Sequence, residues 1–120
     1  MVYVKSYKDL IVWQRAMDLA KAVFRLTEKF SKSELYGLVS QMRRAAVSVP
    51  SNIAEGYGRR SRKEYSQFYA IAYGSGLELE TQLLLAKNLG FCDEVYFSKV
   101  NLLLDEVLRM LNSMSRKLNE

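Results

Sequence analysis

Residues 37–64 read GLVSQMRRAAVSVPSNIAEGYGRRSRKE. Leu38, Met42, Ala45, Val49 and Ile53 step by four, three, four and four residues, which puts them on one face of a helix. Pro50 lies inside this pattern, where its ring removes a backbone hydrogen bond and crowds the preceding turn, so a kink is expected, with helix resuming through Ile53 and Glu55. Gly56 and Gly58 are expected to end the helix, because glycine takes the left-handed cap conformation without a β-carbon penalty. Ser61 and Glu64 then have the spacing of a capping box, the start signal of the next helix. A helix end, a short glycine turn and a helix start make the two helices neighbours that run in opposite directions.

Apolar residues recur at threes and fours outward from this stretch, and no strict alternation of strand type runs beyond four or five residues. A first helix is expected over about residues 10–30, with Leu10, Trp13, Met17, Ala20, Val23, Phe24 and Leu26 inward and either Ser6 or Asp9 as its cap. The second spans about 34–56, with Ser33 as candidate cap. The third spans about 62–89; Tyr65, Phe68, Ala72, Ser75, Leu79, Leu83 and Ala86 form its inner face and Gly90 its C-terminal stop. Within it, Gly74 and Gly76 would let another element approach closely. The fourth spans about 93–118, opened by Asp93, with Val95 or Tyr96 followed by Val100, Leu103, Val107, Met110, Leu111, Met114 and Leu118 inward. Asp105 and Arg109 are spaced for an ion pair on its surface. Four long helices with short connections predict an all-α fold, an antiparallel up-down four-helix bundle, with residues 1–120 as one domain.

Composition narrows the chemistry. There is no histidine, which removes the commonest general base and metal ligand, and the single cysteine, Cys92, allows no internal disulfide. A reducing cytoplasmic setting is the simplest expectation. The opening MVYVKSYKDLIVW has no long apolar run and no small-residue cleavage site, so no signal peptide is expected, and no run of about 18 apolar residues calls for a membrane. Cys92 has no adjacent basic activator and is expected to be inert.

Three phrases carry a resemblance: YKDLIVWQRAMDLA at 7–20, YGLVSQMRRAAVSVPSNIAEGYGRRS at 36–61 and LELETQLLLAKNLGF at 77–91. Together they resemble the bacterial family of proteins encoded in intervening sequences of the 23S ribosomal RNA gene, and the likeness covers nearly the whole chain. The resemblance implies an up-down four-helix bundle that assembles as a homopentamer. A more distant branch, the accessory protein of diversity-generating retroelements, binds nucleic acid and a reverse transcriptase through a basic bundle surface. That branch is an analogy here, and a reverse transcriptase enters only as a partner by analogy.

Charge points to an anionic partner. Residues 37–64 hold Arg43, Arg44, Arg59, Arg60, Arg62 and Lys63 against Glu55 and Glu64, or +4 of the formal +5 of the chain. Arg59, Arg60, Arg62 and Lys63 are expected to form one patch at the turn, with Tyr57 as a stacking face and Arg43 as a further phosphate contact. The plainer use of these residues is a solvated turn, with Arg43 and Arg44 paired to acids. A second constellation is polar: Gln41, Arg44, Ser48, Asn52 and Glu55 on the second helix, and Ser75, Glu78 and Gln82 on the third. It is expected to be a structural hydrogen-bond network, with Arg44 neutralising a glutamate, in preference to an acid–base pair. The chain is therefore expected to be a non-enzymatic homo-oligomer, without catalytic residues, metal or cofactor, that binds structured RNA or DNA. The alternative is a protein-interaction scaffold whose arginines serve assembly.

Overall fold

A computed structural model describes residues 4–119, with side chains through Arg116. Residues 1–3 of the opening segment and the side chain of Leu118 lie outside the described residues. Four α-helices occur among them: α1 (Ile11–Glu28), α2 (Ser40–Tyr57), α3 (Arg62–Asn88) and α4 (Glu94–Asn119). Each packs against its neighbours in chain order, and α1 closes the ring against α4. Cross-helix contacts give the directions. Ser48 meets Ser75 while Tyr65 meets Tyr57, so α2 and α3 are antiparallel. Arg15 meets Glu106 while Lys29 meets Tyr96, so α1 and α4 are antiparallel too. The result is the expected four-helix bundle, 44 × 26 × 21 Å.

The helix starts differ from expectation in detail. Ser6 and Asp9 act together, capping a short 3-10 turn at Tyr7–Asp9 that precedes α1, and α1 itself follows Leu10 without a side-chain cap. Ser31, not Ser33, caps the turn after α1, accepting from the Ser33 amide. The expected helix over 34–56 is divided: Leu35–Val39 is a wide π-type stretch, and the departure from helical backbone falls at Gly37 (φ −108°, ψ −108°). Beyond it α2 runs through Pro50, which is itself buried, to Tyr57. Gly58 ends α2 in the right-handed region (φ −76°), so the left-handed cap expected there is absent. Gly56 instead lies inside α2, buried against α3.

The end of α3 is as expected. Gly90 adopts φ +79°, and the amides of Gly90 and Phe91 return to the carbonyls of Lys87 and Ala86 at 3.0 Å each. This doubly bonded reversal lets Phe91 fold back, with its ring 5.7 Å from Phe30.

The core is drawn from all four helices. On α2 and α3 most of the expected stripes are buried, with Met42, Ala45, Val49 and Ile53 on one and Ala72, Leu79, Leu83 and Ala86 on the other, while Leu38, Tyr65, Phe68 and Ser75 are half-buried and Tyr69 is buried in addition. On α4, Tyr96 packs against the core while Val95 is 77% exposed, and Leu104 and Leu108 join Val100, Val107 and Leu111. On α1 the buried line is Val12, Ala16, Leu19, Val23 and Leu26, continued by Phe30 just beyond its end and shifted around the helix from the line expected. Of that expected line only Ala20, Val23 and Leu26 are buried; Trp13 and Met17 are half-buried and Phe24 is exposed. The reason is that α1 is apolar over two adjoining stripes, and its neighbours select one. The other lines a groove of about 330 Å³ with Val47, Pro50 and Ala54 of α2.

Candidate nucleic-acid interface

The turn between α2 and α3 is built by the residues that close each helix. Gly58 donates to the carbonyls of Ala54 and Glu55, and Arg59 to that of Gly56, which tightens the last turn. Ser61 Oγ accepts from the Glu64 amide at 3.1 Å and starts α3. The Tyr65 hydroxyl donates to the Tyr57 carbonyl at 2.9 Å, tying the two sides of the turn together. Arg59 and Arg60 in the connection and Arg62 and Lys63 in the first turn of α3 are all exposed.

These four cations are not equivalent. The Arg59 guanidinium lies 4.6 Å from the centre of the Phe68 ring and 3.7 Å from Glu55 Oε2. Arg60 and Lys63 are exposed and form no ion pair among the described residues. Tyr57 is half-buried, and its hydroxyl donates to the Val4 carbonyl at 3.4 Å, so it anchors the segment ahead of α1 as well as the turn.

Arg43 belongs elsewhere. It lies 16 residues before Arg59, roughly 24 Å along helical backbone. Its Nε donates to Thr27 Oγ1 at 2.9 Å, and the guanidinium sits 4.7 Å from the Phe24 ring, so it stitches α2 to the end of α1. The structure therefore does not bring Arg43 into the patch at the turn.

Only part of the expected polar constellation is joined. Ser48 and Ser75 share a hydrogen bond at 2.8 Å across the α2–α3 seam, and Asn52 Nδ2 donates to the Ser48 hydroxyl and carbonyl at 2.9 and 2.8 Å. Gln82 Nε2 donates to Glu78 Oε1 at 3.3 Å, while the buried Gln82 Oε1 has no partner among the described residues. Gln41 and Arg44 are exposed at the rim of α2, and Arg44 pairs with no carboxylate among the described residues. Glu55 is taken by Arg59. The two glutamates of the stripes thus have separate partners, Arg59 in the α2–α3 connection and Gln82 on α3. No group of three or more histidine, cysteine or acidic residues able to hold a metal occurs among the described residues. Burial pushes the Cys92 thiol up against a smaller opposing pull from Lys87, which disfavours the reactive thiolate. No described helix is long and apolar enough to cross a membrane.

Sequence reasoning missed a second basic feature. Arg15, Lys21 and Arg25 on α1 meet Lys99 on α4 around a groove of about 370 Å³. The signal was present on α1 as cations at positions 21 and 25, but Lys99 joins them only through the fold.

Comparison with known proteins fits this architecture. The family model described as 23S rRNA-intervening sequence protein matches residues 8–113. The chain is also similar to a crystal structure of a protein of unknown function from the S23 ribosomal protein family of Bacteroides thetaiotaomicron. The TM-score is 0.78 at 18% identity, covering 88% of this chain and 98% of that one, a likeness of fold. A search of curated proteins finds no match. With a family match over nearly its whole length and the corresponding bundle fold, the chain belongs to the 23S rRNA-intervening sequence protein family.

Proposed function

We propose that this protein is a non-catalytic nucleic-acid-binding module that contacts the phosphate backbone of structured RNA or DNA through the α2–α3 turn. The observation that carries the reading is the exposure of Arg59, Arg60, Arg62 and Lys63 at the α2–α3 junction, at one end of the bundle. Arginine forks and lysine point charges both suit phosphate, and a patch of this size binds weakly and salt-sensitively by itself. Repetition in a homo-oligomer, a pentamer by family resemblance, would multiply it through avidity. The outer face of α3 supports self-association: Ile71, Leu77, Leu84 and Leu85 are each 41–51% exposed on a helix with large apolar residues on both flanks.

The test is titration of the protein into labelled structured RNA and duplex DNA at several salt concentrations, with solution mass measured alongside. The comparison protein is Arg59→Ala/Arg60→Ala/Arg62→Ala/Lys63→Ala. Micromolar or tighter binding that weakens steeply with salt, and is lost in the variant while its mass is unchanged, is the expected result. Absence of binding to either nucleic acid at low salt refutes the proposal and leaves a protein-interaction scaffold.

A further inference from the structure

The α1–α4 groove lies on the side of the bundle away from the α2–α3 seam. Its floor is formed by Ala22 and Leu103, and its rim by Arg15, Lys21, Arg25, Lys99 and Asp18. Asp18 on the rim and Glu106 of α4 both pair with Arg15. Arg15 Nε stands 3.0 Å from Glu106 Oε1, and Arg15 Nη1 stands 3.7 Å from Asp18 Oδ2. Lys21, Arg25 and Lys99 are exposed and form no ion pair among the described residues. These three cations and one carboxylate, Asp18, therefore line one concavity, and none of the three cations forms an ion pair among the described residues. Lys21 and Arg25, four apart on one helix, repel each other, and Lys99 adds a third like charge from α4. A multivalent anion relieves all three repulsions at once.

We infer that this groove is a phosphate-chain site, distinct from the α2–α3 turn. A volume of about 370 Å³ exceeds the needs of one phosphate and falls in the range of small-ligand clefts. Arg25 supplies a planar fork, while Lys21 and Lys99 supply point charges from the two walls. The Arg15–Glu106 ion pair joins α1 to α4 beside the groove. The phosphate chain has two possible sources, a free oligophosphate or nucleotide and successive phosphates of a nucleic-acid strand.

The experiment uses sodium tripolyphosphate as probe, with sodium chloride at matched ionic strength as control. Binding is read by calorimetry and by the rise in Tm for the full chain, for Lys21→Gln/Arg25→Gln/Lys99→Gln and for the four-alanine turn variant. Saturable binding by the wild type, weakened at least tenfold in the groove variant and retained in the turn variant, is the expected result. The single variant Lys99→Gln, on α4 alone, should give a smaller loss in the same direction and guards against misfolding of the triple variant. Labelled RNA is then titrated into the same proteins. Weaker RNA binding by the groove variant identifies a nucleic-acid strand as the phosphate source, and unchanged RNA binding identifies a free oligophosphate. No saturable tripolyphosphate binding at low salt, or equal binding by wild type and a folded groove variant, overturns the inference. Loss of RNA binding in the turn variant alone bears on the turn and leaves this test intact.

Discussion

Gly56 of α2 and Phe68 of α3 meet so closely that a β-carbon on Gly56 would lie 2.9 Å from Phe68 Cβ. Phe68 Cβ is fixed to the backbone of α3, so the contact sets how near the two helices come beside the basic turn. The same Phe68 ring carries the Arg59 guanidinium at 4.6 Å. Helix spacing and presentation of the charged turn thus share one residue.

Gly56→Ala should destabilise the protein by about 1–3 kcal/mol, because α2 and α3 must separate to admit the methyl group. Gly74→Ala is the control: nothing lies within 4 Å of its added β-carbon, and relief of mid-helix glycine should stabilise by up to about 1 kcal/mol. Urea unfolding of both variants measures the two signs.

Gln82 is 7% exposed, and its Oε1 has no partner among the described residues. Gln82→Met keeps the volume and removes the unsatisfied acceptor, at the loss of one 3.3 Å bond to Glu78. A net gain of about 1 kcal/mol is expected in chemical denaturation. Gln82→Glu should instead be strongly destabilising, since it places a charge where an uncharged oxygen is already unsatisfied.

Within the turn, Arg60 and Lys63 should matter more for binding than Arg59, which is engaged by Glu55 and Phe68. Arg60→Ala/Lys63→Ala should reduce the slope of log affinity against log salt by about two. Arg59→Ala should alter the slope less and lower Tm more, through lost packing on Phe68. Salt-dependent titration and thermal melts separate the two effects.

Tyr69 gives a pH dependence. Its side chain is buried on α3, and burial, with Tyr65 adding to it, raises the phenol above its ordinary value of 10.0. The folded state therefore holds the proton more tightly than the unfolded chain. This contribution to stability is fully present below pH 10 and is lost as pH rises through the raised folded value. Tyr69→Phe should keep the core and flatten the alkaline fall in stability, followed by circular dichroism between pH 8 and about 12.

Much of the architecture was legible in residue spacing. The stripes of α2 and α3, the start of α3 at Ser61 and the Gly90 reversal depend on interactions within a few residues, so local pattern suffices. The basic turn was legible for the same reason, since its four cations are close in sequence. Arg43 was not, because its partners Thr27 and Phe24 lie 16 and 19 residues away on another helix. The Ser48–Ser75 bond was visible only as two polar stripes whose mutual register could not be read.

By itself, the sequence determined that this chain forms four long helices with short turns and concentrates positive charge between the second and third. Those features follow from helical periodicity, glycine and capping chemistry, and the local density of arginine. The tertiary structure decided which of the two apolar stripes of α1 becomes core, because only the facing helices exclude water from one of them. It also decided that Lys99 would join Lys21 and Arg25 around one groove. Residues 78 apart in the chain become neighbours through antiparallel packing of α1 on α4, a relation that no local pattern encodes.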